Sequence, residues 1–182
     1  MIDMIRSMMK NLEGNIGVYY KDLTTGQSFG VKESEQFLAA SVIKIPVLAE
    51  AFRQENQGMI SFEEMVVINN QDKLPSCGSL TYMHDGLEVS VMDLCVLMII
   101  QSDNTATNLM IKKLGIDNIN GFIKKLGLKK THLNRLLFDS VEQKKGKENY
   151  ITPHDMGSIL EMMWKGELVS SEASKEMLEI LK

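Results

Sequence analysis

The run Phe37-Leu38-Ala39-Ala40-Ser41-Val42-Ile43-Lys44-Ile45-Pro46-Val47-Leu48 constrains this chain more than any other segment. A helix that starts at or just before Ser41 and reaches about residue 54 carries Lys44 inside an apolar surround. A lysine there does not easily reach water, and desolvation favours its neutral amine. A neutral amine one helical turn from a hydroxyl is a base beside a nucleophile. Packing alone allows another outcome, in which Lys44 snorkels out of a core helix.

The remaining punctuation sorts the chain into elements. Residues 2–12 read as a short helix ending near Gly14. The alternating, Val- and Tyr-rich stretch 15–22 turns at Thr24-Thr25-Gly26-Gln27 and returns over 28–32, which predicts a β-hairpin. Ser61-Phe62-Glu63-Glu64 and Ser90-Val91-Met92-Asp93 both have capping-box spacing, and the second opens a helix to about residue 100. Ser102-Asp103-Asn104 interrupts, and further helices are expected over 105–115 and 117–126. From 131 to 151 no period is sustained, which reads as a long loop of the kind that often carries function. Thr152-Pro153 opens a helix that ends near Gly166, and a last helical segment runs to Lys182. One hairpin is marginal by itself, and no strand is predicted after residue 151, so the sheet is expected to be incomplete in this chain.

Several functional classes are disfavoured. A length of 182 residues suits one domain with a real core. The net charge of −4 comes without a long single-sign block, which argues against nucleic acid as a partner. Lys144-Lys145-Gly146-Lys147 is followed by Glu148 and reads as a solvated loop. No stretch approaches the roughly 20 apolar residues of a membrane span. The N-terminus has no signal-peptide pattern, so the chain as written reads as cytoplasmic. Cys77 and Cys95 form no metal or disulfide pattern, and His84, His132 and His154 show no ligand spacing, so no metal is expected.

Ser-x-x-Lys is short enough to recur by chance, and Ser7-Met8-Met9-Lys10 is a second instance at a solvated helix end. Ser102-Asp103-Asn104 is rarer, although a polar turn joining two helices with a capping residue also accounts for it. Taken in order, the two motifs resemble those of class A β-lactamases and penicillin-binding serine hydrolases, whose signature is S-x-x-K, S-D-N, then K-T-G. Phe37-Leu38-Ala39-Ala40-Ser41 is similar to that family's lead-in to its nucleophile. Gln101-Ser102-Asp103-Asn104-Thr105-Ala106-Thr107-Asn108-Leu109 is similar to its S-D-N helix. Thr131-His132-Leu133-Asn134-Arg135 resembles the opening of its omega loop, and Thr152-Pro153 the helix that follows.

The resemblance implies an α/β (α+β) fold, with a helical subdomain and an antiparallel sheet of which only the N-terminal strands are present. Residues 1–182 would form one β-lactamase-like domain lacking its C-terminal strands. Within it, 1–40 would start the α/β part, 41–165 would be mainly helical, and 166–182 would return toward the α/β part. It implies that Ser41 is the nucleophile, that Lys44 helps deprotonate it, and that Ser102 relays a proton to the leaving nitrogen. Asn104 would bind the substrate amide, the Ser41 backbone N–H would be one oxyanion donor, and Asp103 would be structural. No metal or organic cofactor is implied. The expected partner is a β-lactam or cell-wall peptide, and such proteins are typically extracytoplasmic.

Two departures qualify this. Leu137 stands where class A enzymes carry the glutamate that activates the deacylating water, and Asp139 and Glu142 are nearby carboxylates outside the motif. There is also no K-T-G in the chain. The resulting expectation is acylation of Ser41 followed by slow hydrolysis. The alternatives are a D-alanyl-D-alanine peptidase or esterase, and a β-lactam sensor or inactive homologue without turnover.

Overall fold

The computed structural model describes residues 2–9, 12–75 and 77–182. Helix α1 (Ile2–Met9) leads to the antiparallel pair β1 (Val18–Lys21) and β2 (Ser28–Val31), in the register Val18↔Val31 to Lys21↔Ser28. The hairpin expected from the sequence is therefore present, with shorter strands. Of the helix expected over 2–12, residues 10 and 11 lie outside the described residues.

Next come β3 (Phe37–Leu38) and a 3-10 turn, Ala40–Ile43, that runs into α2 (Lys44–Asn56). Pro46 is tolerated here because the first-turn N–H groups of a helix have no intrahelical partner. Val47, Leu48, Ala49 and Ala51 are fully buried, so α2 is apolar on most sides, as a central helix must be. Its one deeply buried acid, Glu50, is satisfied within the helix. It accepts from Arg53 Nε and Nη2, both at 2.6 Å, and from Gln54 Nε2 at 2.7 Å.

Ser61 opens no helix, which corrects the first capping-box reading. Its hydroxyl accepts from the Glu63 N–H at 3.2 Å in a turn. The apolar residues that follow form β4 (Met65–Ile68) instead, paired antiparallel with β5 (Leu87–Ser90). Val66, Val67 and Ile68 are β-branched and find partners on a second strand, so local helix spacing gives way to pairing.

The second capping box does form. Ser90 accepts from the Asp93 N–H at 3.0 Å while the Asp93 carboxylate accepts from the Ser90 N–H at 2.9 Å. Such a cap stabilises a helix by about 1 kcal/mol, and here it starts α3 (Val91–Ile100). Then follow α4 (Asn104–Leu114), α5 (Ile116–Lys125), α6 (Ser140–Lys144), β6 (Tyr150–Ile151), α7 (Pro153–Trp164) and α8 (Ser171–Leu181). The segment 131–151 is thus not bare loop: it holds α6, and β6 pairs antiparallel with β3 through Phe37↔Ile151 and Leu38↔Tyr150.

The helical cluster is closed by α2, α3, α4, α5 and α8, with Ile43, Leu48, Leu94, Met98, Met110, Ile111 and Ile119 among its fully buried side chains. Helix α7 lies on the β1–β2 hairpin. The approach is close at Gly157, where a Cβ would overlap the Tyr19 ring, and Lys21 Nζ is bonded to Glu161 Oε2 at 2.6 Å across the same contact. Among the described residues the strands form three separate two-stranded sheets. No helix among them is long and apolar enough to cross a membrane.

Candidate active site

The approach to Ser41 is fixed from two sides. The β3–β6 pair and the Ala39 N–H to Asn149 C=O bond (2.9 Å) strap the chain just before it to the end of the 131–151 segment. Ala40 then takes φ +43°, a left-handed backbone unusual for a residue with a Cβ. This turns the chain into the 3-10 turn, leaving Ser41 exposed while Ile43 and Lys44 point inward.

Ser102 is the counterpart on the other side. It too is left-handed, at φ +53°, in the break between α3 and α4. That conformation presents both its carbonyl and its hydroxyl to Lys44, whose Nζ lies 2.7 Å from Ser102 O and 2.8 Å from Ser102 Oγ. A left-handed non-glycine residue costs of order 1–3 kcal/mol, so these two positions are held by their surroundings.

Asp103 does the holding around Ser102. Its buried carboxylate accepts from Ala106 N–H as the N-cap of α4 and from Leu80 N–H, both at 2.9 Å. It thereby joins α4 to the segment after Cys77. Gly78, at φ +113°, lies so close that a Cβ there would overlap the Asp103 carboxylate. Asn104 N–H donates to the Cys77 carbonyl at 3.2 Å, closing the same junction.

Lys44 is 2% exposed and is ringed by four oxygens. Besides the two of Ser102, these are Ser41 Oγ at 3.3 Å and Asn104 Oδ1 at 3.2 Å. An ammonium has three N–H donors for these four positions. A neutral amine fits differently. Its two N–H bonds serve the Ser102 carbonyl and Asn104 Oδ1, which can only accept, and its lone pair faces two hydroxyls that can donate. Electrostatics agree: burial pushes the Lys44 amine below the ordinary lysine range, against the opposing influence of Cys77 and the Asp103 carboxylate. Ser102 Oγ is 2.8 Å from Ser41 Oγ, so the path Ser41–Ser102–Lys44 has shorter links than the direct 3.3 Å contact.

Ser41 and Asn104 open onto a cleft of about 380 Å³, lined also by Cys77, Arg135, Leu137 and Phe138. The structure thus brings together Ser41, Lys44, Ser102, Asp103 and Asn104. It does not bring Asp139 or Glu142 to them. Asp139 caps α6, accepting from Val141 and Glu142 N–H at 3.1 and 3.0 Å. Glu142 is bonded to Lys145 and Lys147, which hold its carboxyl at about 2, far too acidic for a base at neutral pH. The histidines are dispersed, and Cys95 is buried with its thiol pushed up to about 12. Among the described residues no cluster of three or more His, Cys, Asp or Glu is placed to hold a metal ion.

Sequence reasoning missed the cleft roles of Cys77 and Phe138 and the contact of Asn108 with the loop. Asn108 Oδ1 accepts from Leu137 N–H at 2.9 Å, and its Nδ2 donates to Leu137 O at 3.0 Å. No local pattern announces a pairing across so many residues.

An exposed serine hydroxyl hydrogen-bonded to a buried lysine and a second serine sets a nucleophile beside a base, at the junction of a helical cluster with small antiparallel sheets. The chain belongs to the β-lactamase enzyme family, whose model matches residues 2–182. It is similar to β-lactamase L2 of Stenotrophomonas maltophilia, with 27% identity over 177 residues, covering 96% of this chain and 58% of that protein. Among solved structures, a β-lactamase from Sphaerobacter thermophilus is 31% identical with a TM-score of 0.90, over 99% of this chain and 68% of that one. PBP-A is 29% identical with a TM-score of 0.86, over 98% of this chain and 66% of that one. A leucine-to-glutamate mutant of PBP-A is known as an acyl-enzyme complex with penicillin G. The chain spans 58% of the length of the first curated relatives it matches.

Proposed function

We propose that this chain is a serine hydrolase that takes the acyl group of a β-lactam onto Ser41 and releases it slowly. One observation carries the reading: the buried Lys44 amine, the Ser102 hydroxyl and the exposed Ser41 hydroxyl form one hydrogen-bonded chain at the mouth of a cleft. The Ser41 proton passes to Ser102 and on to Lys44 as Oγ attacks the lactam carbonyl. Ser102 then returns a proton to the leaving nitrogen. Asn104 presents its carboxamide to the substrate side-chain amide. The Ser41 backbone N–H is one oxyanion donor, of a kind whose loss costs other enzymes about 3 kcal/mol. The 380 Å³ cleft is of the size that small-molecule ligands occupy.

Slow release rests on Leu137, which lines the cleft where a base for water would be useful and cannot take a proton. The acyl-enzyme of penicillin G on a PBP-A mutant supports the choice of substrate class. Leu137 also favours a second reading, a β-lactam sensor that is acylated and never turns over. A D-alanyl-D-alanine peptidase or esterase would use the same groups on a cell-wall stem.

Incubation with benzylpenicillin, followed by intact mass and a chromogenic cephalosporin assay, separates these. A covalent adduct that persists for minutes or longer and is absent in Ser41→Ala is expected. Rapid turnover without an adduct would replace this reading with that of an efficient lactamase. Neither adduct nor turnover would overturn it.

A further inference from the structure

We propose that Phe138 is a specificity-determining residue, whose ring is a stacking platform at the mouth of the cleft that selects β-lactams with an aromatic ring on the acyl side chain. The inference rests on acylation of Ser41 as proposed above. Phe138 lines the cleft together with Ser41 and Asn104, and among the described residues it is the only aromatic side chain to do so.

The fold gives no reason for a phenylalanine at this position. The residue is 53% exposed and stands outside the hydrophobic core, whereas Leu137 before it packs against that core. Among the described residues its ring makes no aromatic pair and no cation–π contact. Its backbone is left-handed, at φ +59°, a conformation that glycine adopts freely and a bulky side chain rarely does.

Helix capping does not explain it either. Phe138 directly precedes Asp139, the N-cap of α6, and an apolar residue there can staple a helix start by packing on the fourth helical residue. In α6 that residue is Gln143, a polar side chain whose Nε2 donates to Glu148 Oε1 at 2.9 Å. Backbone strain of this kind persists where the surroundings impose it, and it gathers at active sites and ligand clamps.

The cleft gives the ring a use. Away from the nucleophile's own turn, its hydrocarbon lining is Leu137 and Phe138. The Leu137 backbone is bonded to Asn108, one turn of α4 beyond Asn104, so this wall adjoins the Asn104 carboxamide. With the lactam carbonyl at Ser41 Oγ and the side-chain amide at Asn104, the substituent beyond that amide meets the wall. An aryl substituent gains there twice. Its area leaves water, and ring against ring adds an offset-stacked or edge-to-face contact that an alkyl chain cannot make.

Acylation of the full chain is followed by intact mass with benzylpenicillin and with n-heptylpenicillin, which has the same nucleus, amide and number of side-chain carbons but no ring. The second-order rate constant is expected to be about three- to tenfold higher for benzylpenicillin, the scale of one aromatic pair. Phe138→Leu, apolar but without a ring, is expected to bring that ratio close to one, and Phe138→Tyr to keep it. A merely structural residue would move both rate constants together and leave the ratio in place. A rate constant for n-heptylpenicillin equal to or above that for benzylpenicillin overturns the proposal, as does a ratio that survives in Phe138→Leu or is lost in Phe138→Tyr. If Phe138→Leu does not fold, Phe138→Gly, which accepts φ +59° without strain, takes its place under the same criterion. No adduct with either penicillin overturns the acylation reading and this inference together, whereas adducts that form at equal rates overturn the inference alone.

Discussion

The α3–α4 junction and the segment 131–151 face the same cleft and are built by opposite means. At the junction, Lys44 is buried in the helical cluster, and Ser102 and Asp103 are set by the ends of α3 and α4. The loop contributes few core side chains and is held mainly by polar bonds: Asn120, Asn149 and Asn108 to its backbone, and Arg135 to Glu148. Packing of the first kind sets the short links from Ser41 Oγ to Ser102 Oγ and on to Lys44 Nζ, both 2.8 Å. Polar bonding of the second kind sets the cleft wall that carries Arg135, Leu137 and Phe138. On the proposed reading, acylation would depend on the packed half and the fate of the acyl group on the polar-bonded one.

Four substitutions break or sharpen that contrast. The largest effect is expected at Lys44→Met, which removes the base and should lower the rate of adduct formation about 10²- to 10⁴-fold, measured by intact mass against time. The pH profile provides a check on the same residue. Burial holds the Lys44 amine below the ordinary range, so its neutral fraction, and with it the acylation rate of the native chain, rises with pH over a lower interval than a solvated lysine would give. Lys44→Met should lose that rising limb.

Leu137→Glu places a carboxylate on the cleft and is expected to raise turnover of a chromogenic cephalosporin about 10²-fold or more, with a shorter-lived adduct. If turnover stays at the native level, the leucine is not what limits release. Gly78→Ala comes next. A Cβ meets the Asp103 carboxylate at a left-handed φ, so stability should fall by about 1–3 kcal/mol in denaturant titration.

The smallest effect is expected at Glu148→Gln, a lowering of the melting temperature by a few degrees at neutral pH. The Arg135 guanidinium, with help from Gln143, holds the Glu148 carboxyl below the usual carboxylate range. Its contribution is therefore complete above the unfolded carboxyl range and is lost as pH falls through the folded value. The native and Glu148→Gln melting curves should converge in acid.

Much of the packed half was legible in the sequence, because its signals are local. The apolar run around Lys44, the Ser90–Asp93 capping box and the polar triplet 102–104 each act within a few residues, and helices follow such cues. The strands were less legible. Ser61 to Glu64 has the spacing of a capping box, yet Val66 and Val67 pair with a strand some twenty residues further on, and pairing at that distance leaves no mark nearby. The short β6 at Tyr150–Ile151 escaped for the same reason, since it exists only because Phe37–Leu38 is beside it.

The sequence by itself determined that Lys44 lies in an apolar run one helical turn from Ser41 and that residue 137 is unable to accept a proton. Only the tertiary structure decided that Ser102 Oγ stands 2.8 Å from both Ser41 Oγ and Lys44 Nζ, and that Asn108 holds Leu137 against the same cleft. The physical reason is that these are angstrom-scale distances between residues far apart along the chain. They are set by left-handed turns at Ala40 and Ser102 and by a core that closes around α2, none of which any local segment fixes alone.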